Sequence, residues 1–203
     1  MLSFAERLQV LENDLKAKPP AFAMSVDLPF ALFRYDPSLD DEGEWKVRRE
    51  IDLLKTRVEN ATGRTVLYLS LADLYWTSIA KSDPDGIDAL IQLERERGFT
   101  AAEMQVNQYL SDRDLDAPSL ERLIISEVAK HDPDSTYLFL IRTGVFAPAA
   151  YRISALLEQL MGKVRVPMVM FYPGKWTGSL NFLGLRSDDE PLGSYRVKIY
   201  GRD

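Results

Sequence analysis

Asp36, Ser70, Thr143 and Tyr172 each close an apolar, β-prone run of this 203-residue chain, and in open α/β sheets ligands and partners gather beyond the carboxyl ends of strands. Together they would bring a carboxylate, two hydroxyls and a phenol to one crevice. Bond-making chemistry needs more, because a hydroxyl nucleophile works only beside a base. The single histidine, His131, lies in a polar loop ahead of Asp132-Pro133, which excludes a two-histidine metal site and gives no support to a Ser–His pair. No GxxxxGK[ST] phosphate loop follows a strand, and GxGxxG, HExxH and GxSxG are missing. Without cysteine, disulfides, thiolate metal sites and cysteine nucleophiles are excluded as well. Asp83, Asp85, Asp112, Asp114 and Asp116 lack EF-hand spacing and read as solvated turns. Structural roles also cover the strand-end residues: Asp36 accepts backbone amides in the turn before Pro37, Ser70 caps the next helix, and Thr143-Gly144 shapes a tight exit. The sequence therefore predicts no catalytic, cofactor-binding or metal-binding residue, and a protein that is not an enzyme.

Recognition has better support. Lys175 and Trp176 follow Pro173-Gly174 and precede Gly178, so a glycine-containing turn presents a cation and a large aromatic after a buried strand. Exposed tryptophan is a residue type enriched at binding hot spots. Arg142 and Thr143 stand on the turn that ends the preceding strand. The chain carries 25 basic and 31 acidic residues, a net charge of −6, which disfavours broad nucleic-acid binding. Between Tyr137 and Arg186, however, six basic residues face one acidic residue, a local +5 that leaves −11 elsewhere. The predicted partner-binding residues are Arg142, Thr143, Arg152, Tyr172, Lys175 and Trp176, with nucleic acid reached only weakly or through a partner. A degenerate nucleotide- or phosphate-binding protein of the P-loop or Rossmann-like class, using Arg142, Thr143 and Lys175, is the alternative.

The elements that must position these residues follow from periodicity. Phe4, Leu8, Leu11 and Leu15 form one stripe of a helix opened by Ser3, with Glu6 at capping-box spacing. Leu28–Tyr35 reads as a buried strand. Val47, Ile51, Leu54 and Val58 share a face of a helix over Glu44–Asn60, stopped near Gly63, and Thr65–Ser70 is the second strand of a parallel, right-handed β–α–β unit. From Leu71 to Lys130 only helix-period segments occur: Leu71–Ser82, Gly86–Arg97, Thr100–Leu110 with a Thr100/Glu103 capping box, and Pro118–Lys130 with Asp116 as N-cap. Tyr137–Ile141 and Val166–Tyr172 then flank a helix that has Pro148 in its first turn, a stripe of Ile153, Leu156, Leu157 and Leu160, and Gly162 at its end. After the Pro173-Gly174 turn, Ser179–Leu183 and Tyr195–Tyr200 supply one or two terminal strands, forming an antiparallel edge. The predicted fold is a single three-layer α/β domain over 1–203, with a mainly parallel sheet of four to five strands flanked by helices and a helical insertion at about 71–130 between the second and third strands. With no basic-then-apolar leader and no long apolar run, the expected location is the cytoplasm, without a membrane.

Three groups of residues resemble one known family. Leu28-Pro-Phe-Ala-Leu-Phe-Arg-Tyr-Asp-Pro37 with Val47-Arg-Arg-Glu-Ile51, Arg142-Thr-Gly-Val145 with Tyr151-Arg-Ile-Ser-Ala-Leu-Leu157, and Val166-Pro-Met-Val-Met-Phe-Tyr-Pro-Gly174 with Gly178 look like the BrxB family of bacteriophage exclusion (BREX) systems. Phe146 departs from the pattern, standing where another glycine is expected. The resemblance implies a cytoplasmic, non-catalytic subunit of an anti-phage complex. Its implied partners are the alkaline-phosphatase-like protein PglZ and the adenine methyltransferase of the system. It transfers no catalytic residue.

Overall fold

The computed structural model describes residues 2–20, 22, 29–83, 85–111, 118–147, 151–177, 180–183 and 197–201. Helix α1 (Phe4–Lys16) begins with a closed capping box, in which the Ser3 hydroxyl accepts from the Glu6 N–H and the Glu6 carboxylate accepts from the Ser3 N–H at 2.8 Å. Its apolar stripe packs with that of α2 (Glu44–Thr62) on one face of a sheet, burying Phe4, Leu8, Leu11 and Leu15 with Val47, Ile51, Leu54 and Val58. Gly63 ends α2 in the left-handed region at φ 69°, where a Cβ would be strained.

Strands β1 (Phe30–Tyr35), β2 (Thr65–Ser70), β3 (Thr136–Ile141) and β4 (Met168–Trp176) run parallel in the order β2-β3-β4-β1, and β6 (Lys198–Tyr200) extends the ladder in parallel beside β1. The short β5 (Leu180–Phe182) pairs antiparallel with the far end of β4. Between β2 and β3 lie α3 (Leu71–Ser82), α4 (Gly86–Arg97), α5 (Phe99–Ser111) and α6 (Leu120–Val128), and between β3 and β4 lie a 3-10 turn (Thr143–Phe146) and α7 (Ile153–Leu160). Leu71, Ile79, Ile124, Leu156 and Leu160 cover the second face against Leu138, Leu140, Met168 and Met170. Phe139, Val169 and Phe171 point instead to the α1–α2 face. Burial on both faces explains why β1, β3 and β4 are continuous apolar runs rather than alternating ones. The architecture is the expected three-layer, mainly parallel α/β sheet.

Several details differ from the sequence reading. The sheet places β3 and β4 between β1 and β2, so the first β–α–β unit does not join neighbours. Crossovers of one hand that travel in opposite directions along a sheet must lie on opposite faces. The chain obeys this: α2 carries it outward to the β2 edge over one face, and the later helices bring it back over the other. Strand β4 does not stop at Tyr172 but runs on through Pro173, Gly174 and Lys175 to Trp176, so the expected Pro–Gly turn is a strand. A Cβ on Gly174 would lie 2.3 Å from the Asn181 carbonyl oxygen, so glycine serves the close approach of β5 here rather than a turn. The last strand is parallel, not antiparallel. Helix α5 begins at Phe99, which places Thr100 inside its first turn and not at a cap, while α6 is capped by Ser119, whose hydroxyl accepts from the Arg122 N–H. Asp112, Asp114, Asp116, Pro148, Gly178 and the starts of the strands predicted from Leu28, Ser179 and Tyr195 lie outside the described residues.

Candidate functional site

Most described carboxyl ends of the parallel strands are filled. The Asp36 carboxylate accepts from the Ser38 N–H at 3.0 Å and the Ser38 hydroxyl at 2.7 Å, with the Lys175 ammonium 3.7 Å away. Burial would raise its pKa, but the Ser38 hydrogen bonds and the charge of Lys175 outweigh this and hold it below the usual carboxylate range. Beneath it lies a buried ionic knot. Arg7 of α1, 3% exposed, is paired with Glu42 and donates to the Arg34 carbonyl at 2.6 Å. The other Glu42 oxygen accepts from the Asp36 N–H at 2.6 Å. Arg34 donates through Nε to the Gly201 carbonyl at 2.6 Å and through Nη1 to that of Gly174 at 3.3 Å. The knot ties α1, the β1 exit, the β4–β5 hairpin and the chain's last described turn together. Sequence reading did not find it, although Arg34 interrupts an apolar strand and Arg7 shares a helical face with Phe4 and Leu11.

The six predicted recognition residues divide between core and surface. Thr143 and Tyr172 are 0% exposed, so in this conformation they offer a partner nothing to touch. The Thr143 hydroxyl donates to the Phe171 carbonyl at 2.6 Å, and the Tyr172 ring meets Phe182 edge-on at 5.6 Å. Phe146 is buried and anchors the 3-10 turn against Tyr75 and Tyr151. Arg142, Arg152 and Lys175 reach the surface, and Trp176 is half-buried against the helical core. Lys175 and Arg142 belong to different neighbourhoods, one beside Asp36 and the other beside Asp73 and Ser70.

Arg142 is the member that faces a cavity. A cleft of about 670 Å³ opens at the carboxyl ends of β2 and β3, with Trp45, Arg48, Arg49 and Asp52 of α2 on one wall and Asp73, Leu74 and Glu127 on the other. Leu69 and Ile141 contribute apolar floor, with Tyr68, Ser70 and Arg142 at the end of the sheet. Arg142 holds a left-handed backbone (φ 57°, ψ 37°), uncommon for a residue with a Cβ. That bend aims its guanidinium at Asp73 Oδ1, 2.9 Å away, and Ser70 Oγ, 3.3 Å away. Ser70 Oγ also accepts from the Asp73 N–H as the N-cap of α3. Both contacts use the oxygen as an acceptor, whereas a nucleophile needs a base to take its proton. Burial, then the charge and hydrogen bond of Asp52, hold the Tyr68 phenol protonated well above the ordinary tyrosine range. Trp45 is 75% exposed, and the Arg48 guanidinium lies 5.7 Å from its ring centre. This arrangement can bind; its hydroxyls are spent on structure. His131 only closes the turn after α6, its N–H donating to the Val128 carbonyl at 3.0 Å. Among the described residues no cluster of three or more metal-ligating side chains is present, and no helix is long and apolar enough to cross a membrane.

The family model described as BREX protein BrxB matches residues 67–199, from β2 through β6. No curated protein and no solved structure matches the chain.

Proposed function

The chain belongs to the BrxB family of BREX anti-phage systems, and from that premise we propose that it is a non-catalytic adaptor that docks on a PglZ-type alkaline-phosphatase-like partner and, through it, the system's methyltransferase. The observation that carries this reading is the cleft at the carboxyl edge of β2 and β3, where an exposed Trp45 stacks with Arg48 beside Arg49 and Arg142. Tryptophan and arginine are the residue types that dominate binding energy at interfaces, and an apolar floor with a charged rim is the anatomy of such a patch. Arg142 joins this cleft to the predicted recognition set, and Arg152, Lys175 and Trp176 remain its outlying members.

The experiment is co-expression with the PglZ-type protein followed by size-exclusion chromatography. A shared peak at micromolar concentration is expected, and Trp45→Ala should split it while leaving the melting temperature unchanged. Two independent peaks for the wild-type proteins would refute the proposal. The nucleotide- or phosphate-binding alternative has lost support, because Thr143 is buried, Arg142 is paired with Asp73 and Lys175 stands beside Asp36. A nucleotide at a hundred times its dissociation constant would add about 2.7 kcal/mol of stability, so a thermal-shift screen reads that alternative directly.

A further inference from the structure

Among the described residues strand β2 ends the sheet, and its Tyr68, Leu69 and Ser70 line the same cleft. The Thr65 N–H donates inward to the Ser135 carbonyl at 2.9 Å, while the Val66 N–H turns outward and is capped by the Glu59 carboxylate at 2.9 Å. Backbone groups alternate along a strand, so Tyr68 also turns its N–H and C=O outward, toward the cleft. The strand Thr-Val-Leu-Tyr-Leu-Ser is uncharged and β-prone, and from Leu67 to Ser70 it is only half-buried. Edge strands that must stay unpaired carry lysine, proline or a bulge. This one has none of them along its pairing face, and the Glu59 cap protects only its first outward N–H.

The charges around the edge are unequal in what they have left to give. Each cleft carboxylate is engaged: Asp52 by the Tyr68 hydroxyl, Asp73 by Arg142 and Glu127 by Lys130. Of the cleft arginines, Arg142 is paired with Asp73, and Arg48 is ion-paired with Glu44 at 3.8 Å although its Nε is buried without a hydrogen-bond partner; Arg49 has no ion-pair or hydrogen-bond partner among the described residues. Arg49 is therefore the cleft cation left without a partner beside this edge among the described residues, in a chain whose net charge is −6.

We infer that β2 is a docking edge: an extended, acidic segment of the partner adds to it as a further strand, with its carboxylates on Arg48 and Arg49 and one apolar side chain on the Leu69–Leu74–Ile141 floor. This names the surface and ligand chemistry of the adaptor reading and rests on it. Main-chain pairing supplies affinity in such strand addition, and the side-chain pockets select the segment.

The test uses the full chain and an array of short synthetic peptides that tile the PglZ-type partner. Acidic, extended peptides with an apolar residue should bind, binding should weaken with salt, and Arg49→Glu, at an exposed position without a partner, should lower affinity about tenfold or more. Hydrogen exchange should show the Tyr68 amide newly protected in the peptide complex. If the partner co-elutes with the chain but no acidic peptide binds, or if peptides bind without protecting Tyr68, the edge inference is overturned and the adaptor reading stands. Separate elution of the two proteins overturns the adaptor reading, and the peptide and exchange results then decide the edge by themselves. Self-association through β2, seen as a homodimer that Arg49→Glu leaves intact, also overturns it.

Discussion

Replacing Gly174 by alanine distinguishes a strand from a turn at the end of β4. Gly174 does not occupy the left-handed region, so alanine meets no backbone penalty there. The cost comes from space. An added Cβ would stand 2.3 Å from the Asn181 carbonyl oxygen and 2.7 Å from Tyr172 Cε1, against ordinary contacts of about 3.5–4.0 Å. Neither neighbour can step aside freely. Asn181 sits in the register that pairs β5 with β4, and Tyr172 is fully buried against Phe182. Strand β5 would have to retreat by about an ångström, disturbing the burial of Leu180 and Phe182. Overpacking of this kind costs about 1–3 kcal/mol, and a chain of this size loses about 2–4 °C of melting temperature per kcal/mol. Thermal and urea denaturation followed by circular dichroism should therefore show a drop of about 2–12 °C. Gly144→Ala is the internal control, since that position also avoids positive φ and its Cβ would meet nothing within 4 Å. It should leave stability unchanged. If Gly174→Ala matched this control, the strand pairing of Gly174 and the reasoning from it would be wrong.

Three further outcomes follow from the same contacts. Glu42→Ala strands the buried Arg7 guanidinium and the Asp36 N–H, and should cost about 3–5 kcal/mol in urea unfolding, while Arg7→Met with Glu42→Leu should recover much of it. The Asp36 pKa is depressed in the folded protein, so its contribution is present above the unfolded carboxylate value and is lost as pH falls through the folded one. Asp36→Asn should accordingly lower the melting temperature at neutral pH, with the gap to wild type closing in acid; a gap constant across the pH range would contradict this. Arg142→Ala removes the contacts to Asp73 and Ser70 at a partly exposed site and should change stability by less than about 1 kcal/mol while weakening co-elution with the PglZ-type partner.

Periodicity and punctuation were enough to read the elements. The Ser3/Glu6 box, the stripe from Val47 to Val58, the Gly63 stop and the Thr65–Ser70 strand were legible because each is a local preference expressed over a few residues. The candidate site was legible only in part. Arg142 could be placed at a strand end from the sequence, but nothing in the helix pattern of Glu44–Asn60 singles out Trp45, Arg48 and Arg49. Only the crossing of α2 toward the β2 edge makes them a cleft wall. Thr143 and Tyr172, expected at a partner surface, are buried, because a polar residue at a strand end can turn inward once another strand supplies an acceptor or a ring.

The sequence by itself determined which segments become helices and strands, that the sheet is mainly parallel and covered on both faces, and which family the chain resembles. These follow from hydrophobic period, capping chemistry and residue identity, all short-range or compositional. Tertiary structure alone decided the strand order, the extension of β4 through Pro173-Gly174, the Arg7–Glu42–Arg34 knot and the open edge of β2. Each depends on which distant segments share space. A parallel strand reads the same in the middle of a sheet or at its edge until its neighbours are in place.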